Sequence, residues 1–313
     1  MIDFTRNWFT NTKINQNTNI DVETKIIFVS DFFVEQLMGG AEASLASLIK
    51  KTPYKYNKIQ SQNLTPEFVK QHKDKYWIFG NFTLINPAII PMFIDEPNIK
   101  YSVVEFDFKC CAYRSPFLHF VQTKTPCNCH LSPHGQAIKQ FYLKAQKLFW
   151  MSEKQRDIYL SVYPELDIPD KNIILSSVFE DETLDKLIEL REKHKNSEEK
   201  QKQVWLILSS NSPIKGTQQT IEWCKNKKLN AKVVGNMPYE NFLEELAKSY
   251  GLIFRPFAED TCARISIESK LLGLKLELNS NVLHKNESWF KDIETCEKYL
   301  RTRADYFWQQ VQV

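Results

Sequence analysis

Short apolar runs and helix-like stretches alternate along this chain. Lys25-Ile-Ile-Phe-Val-Ser30 is too short for a buried helix and predicts a buried parallel strand. A loop to Gly40 follows, and Ala41–Ile49 predicts a helix. Tyr76–Phe79, Tyr101–Glu105 and Lys147–Met151 predict further strands, each followed by polar or turn-forming residues. The pattern then restarts. Lys171–Leu175 leads into a charged helix from Asp181 to about His194 and a polar linker, Lys195 to Gln203. Val204–Leu208, Ala231–Val234, Leu252–Phe254 and Lys275–Leu278 predict strands, with helices at Gly216–Lys228 and Tyr239–Lys248. Strands alternating with helices indicate parallel α/β sheets. Two such units in tandem leave a cleft between the carboxyl ends of both sheets, where ligands tend to bind.

At 313 residues the chain is too long for one ordinary core and suits two domains. The reading places the boundary between residues 168 and 169, with 1–168 and 169–299 as the two units. Hydrophobic residues at 42% and aromatics at 13% supply material for both cores. No run approaches the roughly 18 apolar residues of a membrane span, and Met1–Trp8 lacks the basic-then-apolar layout of a signal peptide. A cytoplasmic protein is expected. Seven cysteines, an odd number without a disulfide framework, fit a reducing compartment. The net charge of +3 is too mild to imply nucleic acid. Yet Phe108 to Ser152 holds no acid while carrying Lys109, Arg114, Lys124, Lys139, Lys144 and Lys147. That excess suits donor phosphates, an anionic acceptor, DNA or plain solvent.

The densest chemistry lies in Arg255-Pro-Phe-Ala-Glu-Asp260-Thr-Cys-Ala-Arg264-Ile-Ser-Ile-Glu268. Ile265, Ile267, Leu271 and Leu272 can face a core while Asp260, Arg264 and Glu268 fall four apart on the other side of a helix. A helix start suits a phosphate, and acids further in suit sugar hydroxyls. An ordinary surface helix is the alternative. Met38-Gly39-Gly40-Ala41-Glu42 allows close backbone approach before a helix. It is not the Gly-x-Gly-x-x-Gly dinucleotide fingerprint. Lys215-Gly216, just past the strand Val204–Leu208, places a cation where it can neutralise a diphosphate.

Together the Gly-Gly-Ala-Glu loop, the Lys-Gly loop and the acid-x7-acid motif resemble the retaining GT-B glycosyltransferases of the family 4-like group. The resemblance spans most of the chain and implies a GT-B architecture, two Rossmann-like parallel-sheet domains facing a central cleft. It implies transfer of a sugar from a nucleotide-diphosphate sugar, without a further cofactor or metal. By position, Gly39 and Gly40 approach the donor diphosphate, Lys215 binds its phosphates, Glu268 takes the ribose and Asp260 the transferred sugar. Arg255, Thr261 and Arg264 join the donor site, Arg264 or Arg255 standing in for an arginine that the family carries where this chain has Ser210. The loop matching the family's histidine-and-acid loop offers Glu105 and Asp107 as catalytic carboxylates. Lys109, Arg114 and His134 are expected at the acceptor. The aromatic tail from Ser288 to Gln310 resembles the family's final helix, whose counterpart at about 300–313 is expected to pack back on the first domain.

The acceptor stays open between a saccharide or lipid-linked glycan and a hydroxylated DNA base. A catalytically inactive binding module of the same fold is the competing reading. Cys110-Cys111 and Cys127-Asn-Cys129-His130 with His134 invite a zinc reading. Cys-x-Cys is tighter than the usual Cys-x2–4-Cys spacing, so buried thiols and no metal are the expectation.

Overall fold

The structure is a computed structural model and describes residues 20–313, so Met1–Trp8 lies outside the described residues. One sheet contains β1 (Ile26–Ser30), β2 (Tyr56–Gln60), β3 (Tyr76–Phe79), β4 (Lys100–Glu105), β5 (Lys147–Trp150) and β6 (Asn172–Ile174), in the order β2-β1-β3-β4-β5-β6. The other contains β7 (Trp205–Leu208), β8 (Ala231–Val234), β9 (Gly251–Phe254) and β10 (Lys275–Leu278), in the order β10-β9-β7-β8. Every pairing is parallel, from Val29↔Phe79 in the first sheet to Leu278↔Phe254 in the second.

The central strands β1, β3 and β9 are buried along their whole length, as expected of parallel sheets covered on both faces. Trp77, Phe79, Tyr101 and Trp150 fill one face of the first sheet; Phe28, Ile78, Val104 and Phe149 fill the other. The strand near residue 173 departs from its expected place. It pairs with β5, Phe149 opposite Ile173, and so completes the first sheet instead of opening the second unit. The strand β2 has no counterpart among the expected strands, because Tyr-Asn-Lys-Ile-Gln buries only Ile59 and lies at the sheet edge. No helix among the described residues is long and apolar enough to cross a membrane.

The tail divides its aromatics between the two halves. Trp289, Phe290 and Tyr299 pack into the core of the second. The helix Arg303–Gln310 crosses to the first, where Phe307 packs at a tilt against Phe149 (ring centroids 4.4 Å apart) and Trp308 Nε1 donates to the Leu48 carbonyl at 3.0 Å. Glu287 ties the halves at another point. Its carboxylate accepts from the Glu153 N–H at 2.8 Å, at the start of the helix Glu153–Val162, and from Trp289 Nε1 at 2.5 Å.

Burial pushes the Glu287 carboxyl from 4.5 up to about 7, against the pull of its two donors. The folded state therefore holds this proton more tightly than the unfolded chain. The resulting stabilisation is fully present below the unfolded value and is lost as pH rises through about 7. Relative to Glu287→Gln, the native chain should lose up to about 3 kcal/mol of stability between pH 4.5 and pH 8. Urea titrations of both proteins across that range check this, and parallel pH profiles would contradict it.

Candidate functional site

The chain leaving β9 crosses the gap between the halves and makes a contact at nearly every residue. Glu259 accepts from the Ser115 hydroxyl and from the Phe117 N–H at 3.2 Å. It thus places a carboxylate at the positive start of the helix Pro116–Thr123, which Ser115 itself caps through the Leu118 N–H at 3.0 Å. Thr261 Oγ1 donates to the Phe106 carbonyl at 2.7 Å, and Ser177 Oγ donates to the Cys262 carbonyl at 3.0 Å. Arg264 Nη1 donates to the Val178 carbonyl at 2.6 Å, its guanidinium lying 3.7 Å from the Phe179 ring centroid.

Asp260 stands on this crossing segment, not on the helix that spacing predicts for it. Its backbone pairs with the second half's own loop, N–H to the Asn281 carbonyl at 2.8 Å and carbonyl from the Leu283 N–H at 3.0 Å. That extended bridge holds the segment out of helical form, and the helix begins only at Arg264. Nor is that helix amphipathic, since Ile265 through Ser269 are all buried. Asp260 and Glu268 nevertheless flank one site, reached from a strand-like segment and a buried helix.

Two cavities meet at Gly40 and Arg264, which line both. Gly40 opens the helix Gly40–Lys50, and a Cβ there would lie 3.5 Å from Arg264 Cδ, so the two halves touch at this point. The first cavity, about 220 Å³, is bordered by Asp107, Arg114, Lys215, Asp260 and Thr261. Lys215 Nζ donates to Asp260 Oδ2 at 2.5 Å, with the lysine side chain one-third exposed. Gly216 supports that placement. Its φ is +62°, and a Cβ would come within 2.8 Å of the Arg255 carbonyl and the Phe257 nitrogen, so glycine alone fits behind the lysine. The second cavity, about 330 Å³, is bordered by Gly39, Tyr239, Phe242 and Glu268. Tyr239 Oη donates to Glu268 Oε1 at 2.7 Å, and Arg264 Nε lies 3.6 Å from the same oxygen. Burial raises the Glu268 carboxyl above its ordinary value, against the pull of Arg264 and Tyr239.

Beneath the first cavity lies a buried ion cluster. Lys109 Nζ donates to Glu105 (2.7 Å), Asp107 (3.2 Å) and Asn81 Oδ1 (3.1 Å). Glu105 also accepts from the Asp107 N–H at 2.9 Å, from Tyr159 at 3.0 Å and from Tyr142. Burial opposes the charge on Lys109, but Asp107 and Glu105 outweigh it and hold its pKa above the ordinary value. Burial likewise opposes ionisation of Asp107, and Lys109 with Arg114 overcomes it, keeping that carboxyl low. Arg114 closes the cluster toward the cleft, Nε donating to Asp107 Oδ2 at 2.6 Å. It does so at φ 57°, a left-handed conformation costing a non-glycine residue about 1–3 kcal/mol.

Four expected site residues lie elsewhere. Glu105 and Lys109 are fully buried in the cluster and border neither cavity, so they position Asp107 and Arg114. His134 braces the loop, its Nε2 2.8 Å from the Lys109 carbonyl. Arg255 turns away from the cavities to pair with Glu277 at 2.7 Å and stack 4.4 Å from the Trp223 ring centroid. Conversely, Asn81, Tyr239 and Glu259 belong to the site or its walls and were not read from sequence. Glu259 was within reach as the acid beside Asp260, whereas Tyr239 reads only as a helix start. Of the cations in the acid-free stretch 108–152, Lys109 is buried, Arg114 lines the cleft, Lys139 pairs with Glu165, Lys147 donates to the Asp170 carbonyl, and Lys124 and Lys144 are exposed.

No protein-family model matches the chain, and no curated protein sequence matches it. Solved structures do. Alr3699/HepE from Anabaena, in complex with UDP, superposes over 92% of this chain and 95% of its own with a TM-score of 0.53 at 12% identity. AviGT4, a glycosyltransferase involved in avilamycin A biosynthesis, gives a TM-score of 0.48 at 10% identity, covering 91% of this chain and 96% of its own. The trehalose-6-phosphate synthase OtsA gives 0.47 at 9% identity, covering 92% and 95%. The likeness to the first establishes the fold: the chain has the two-domain GT-B architecture, with two Rossmann-like parallel-sheet domains facing a cleft.

Replacing Lys109 by Met should strand Glu105 and Asp107 without their shared cation. A loss of about 3–5 kcal/mol is expected in urea unfolding. A change under about 1 kcal/mol, the size of a surface pair, would mean that the cluster does not hold this loop.

Proposed function

We propose that the chain transfers a sugar from a nucleotide-diphosphate sugar to an acceptor hydroxyl with retention of configuration. The observation that carries the reading is the meeting of two cavities at Gly40 and Arg264, with Lys215 and Asp260 on one arm and Glu268 and Tyr239 on the other. The nucleoside takes the larger arm, its ribose hydroxyls on Glu268 and its base beside Phe242. The diphosphate takes the junction, where Arg264, the N–H groups of the helix starting at Gly40 and Lys215 oppose its charge. Those charges make a metal unnecessary in the transfer step. The sugar then lies in the smaller arm, where Asp260 accepts from its hydroxyls once the diphosphate competes for Lys215.

The reaction breaks the anomeric C–O bond to phosphate and forms a new one to the acceptor oxygen on the same face. The leaving phosphate oxygen takes the acceptor proton, so no protein base is needed. Asp107 and Arg114 wall the open side and receive the acceptor. We take a glycan as the acceptor in preference to DNA, because Lys109 of the 108–152 stretch is buried and Lys139 is already paired with Glu165, which removes two of its cations from phosphate contact. The reading is of a cytoplasmic enzyme with no cofactor beyond its donor.

A second reading, a nucleotide-binding module without turnover, is favoured by one feature. Ser210 supplies no charge where the resembling family carries an arginine, and its hydroxyl accepts from the Ser212 N–H at 3.2 Å.

Hydrolysis and transfer assays across UDP-, GDP- and ADP-sugars, with thermal shift on the same donors, separate the readings. Turnover with at least one donor is expected, and Lys215→Ala, assayed below its own Tm where it is folded, should lower kcat/KM about 10²–10³-fold. Glu268→Gln should weaken nucleotide stabilisation. Stabilisation without turnover would favour the module. Neither turnover nor stabilisation with any donor would overturn both.

A further inference from the structure

All seven cysteines are free thiols, and three of them converge with a histidine. Cys111 Sγ, His119 Nδ1, Cys127 Sγ and Cys129 Sγ all lie within 4.8 Å of one another. The imidazole nitrogen is 3.3 Å from Cys129 Sγ and 3.9 Å from Cys111 Sγ. Four ligands at Zn–S and Zn–N bond lengths around a tetrahedral centre sit about 3.5–3.8 Å apart. The separations bracket that spacing, none exceeding it by more than about 1 Å, so small side-chain shifts bring all four atoms onto one ion.

We propose that Cys111, His119, Cys127 and Cys129 form a structural Zn²⁺ site that staples the cleft loop following β4. Three thiolates and one imidazole are a soft, closed donor set with no place for substrate, which selects zinc in a structural role. On binding, the three thiol protons leave to solvent, and the imidazole binds through Nδ1 as the neutral ring. The candidate set differs from the one that spacing suggests. Cys110 lies outside the convergent group, His130 packs by Tyr163 and His134 serves the Lys109 carbonyl, while His119 comes from the helix Pro116–Thr123.

The surroundings hold the ligands ready. A Cβ on Gly135 would lie 2.1 Å from the Cys129 carbonyl and 2.8 Å from His130 Cα, so glycine there lets the Cys127–Leu131 turn sit tightly against the next helix. Ser132 donates to that same carbonyl through Oγ at 2.6 Å. Between Cys111 and His119 stand Arg114, which lines the cleft, and Ser115, which contacts Glu259 across the gap. The metal therefore fixes the span that carries both. The proposal does not depend on the sugar-transfer reading.

Metal analysis of the full chain, purified under reducing conditions without added zinc or chelator, tests it. One zinc per chain is expected, falling to background in Cys129→Ser and in Cys127→Ser. Cys110→Ser, and His119→Cys with its four thiolates, should keep the ion. The metal-free native chain, loaded with Co²⁺, should show the strong visible bands of tetrahedral cobalt thiolate, which decides the matter even if the serine variants do not fold. Native chain lacking zinc and giving no such cobalt spectrum would overturn the proposal. So would Cys110→Ser losing the ion as fully as Cys129→Ser.

Discussion

The Glu259–Arg264 segment has to satisfy both halves of the molecule at once, and the cleft follows from that constraint. Glu259 caps a first-half helix, Thr261 holds the Phe106 carbonyl, Cys262 receives Ser177 and Arg264 reaches Val178. A segment tied on both sides cannot drift, so Asp260, in its middle, is held against Lys215. The same anchoring presses Arg264 to Gly40 and divides the interdomain space into two arms. In the proposed transfer, pre-organisation of this kind would let these charges act on a diphosphate without reorganisation during reaction.

The opposite wall depends on buried charge. Lys109, Glu105 and Asp107 are mutually paired, and Tyr142 and Tyr159 complete the shell of Glu105. Such clusters are costly to desolvate, and an apolar replacement of the whole set often matches them in stability. Their presence is better explained by what they aim. The cluster turns Asp107 and Arg114 toward the cavity and sustains the left-handed backbone at Arg114. Glu105 and Lys109 thus act on the site through their neighbours.

Much of this was legible in the sequence because buried parallel strands announce themselves. Ile-Ile-Phe-Val and Tyr-Trp-Ile-Phe admit no amphipathic alternative of their length. The failures share a cause, which is dependence on residues far along the chain. Tyr56–Gln60 becomes a strand only because β1 lies beside it. Asp260 falls on helical spacing with Arg264 and Glu268, yet a bridge to Val282 decides its conformation. Arg255 reads as a free cation beside the motif until Glu277 and Trp223 claim it. His119 carries no local mark of a ligand, since its sulfur neighbours lie eight or more residues away. The Gly39-Gly40 loop and Lys215-Gly216 were readable because glycine reports a local backbone need.

The central claim is that a diphosphate binds where the two halves touch. A crystal structure with a nucleoside diphosphate sugar tests it most directly. The account places the diphosphate within hydrogen-bonding distance of Lys215 Nζ and the N–H groups opening the helix at Gly40, with the ribose on Glu268. A donor bound elsewhere, with Lys215 still closed on Asp260, would contradict it.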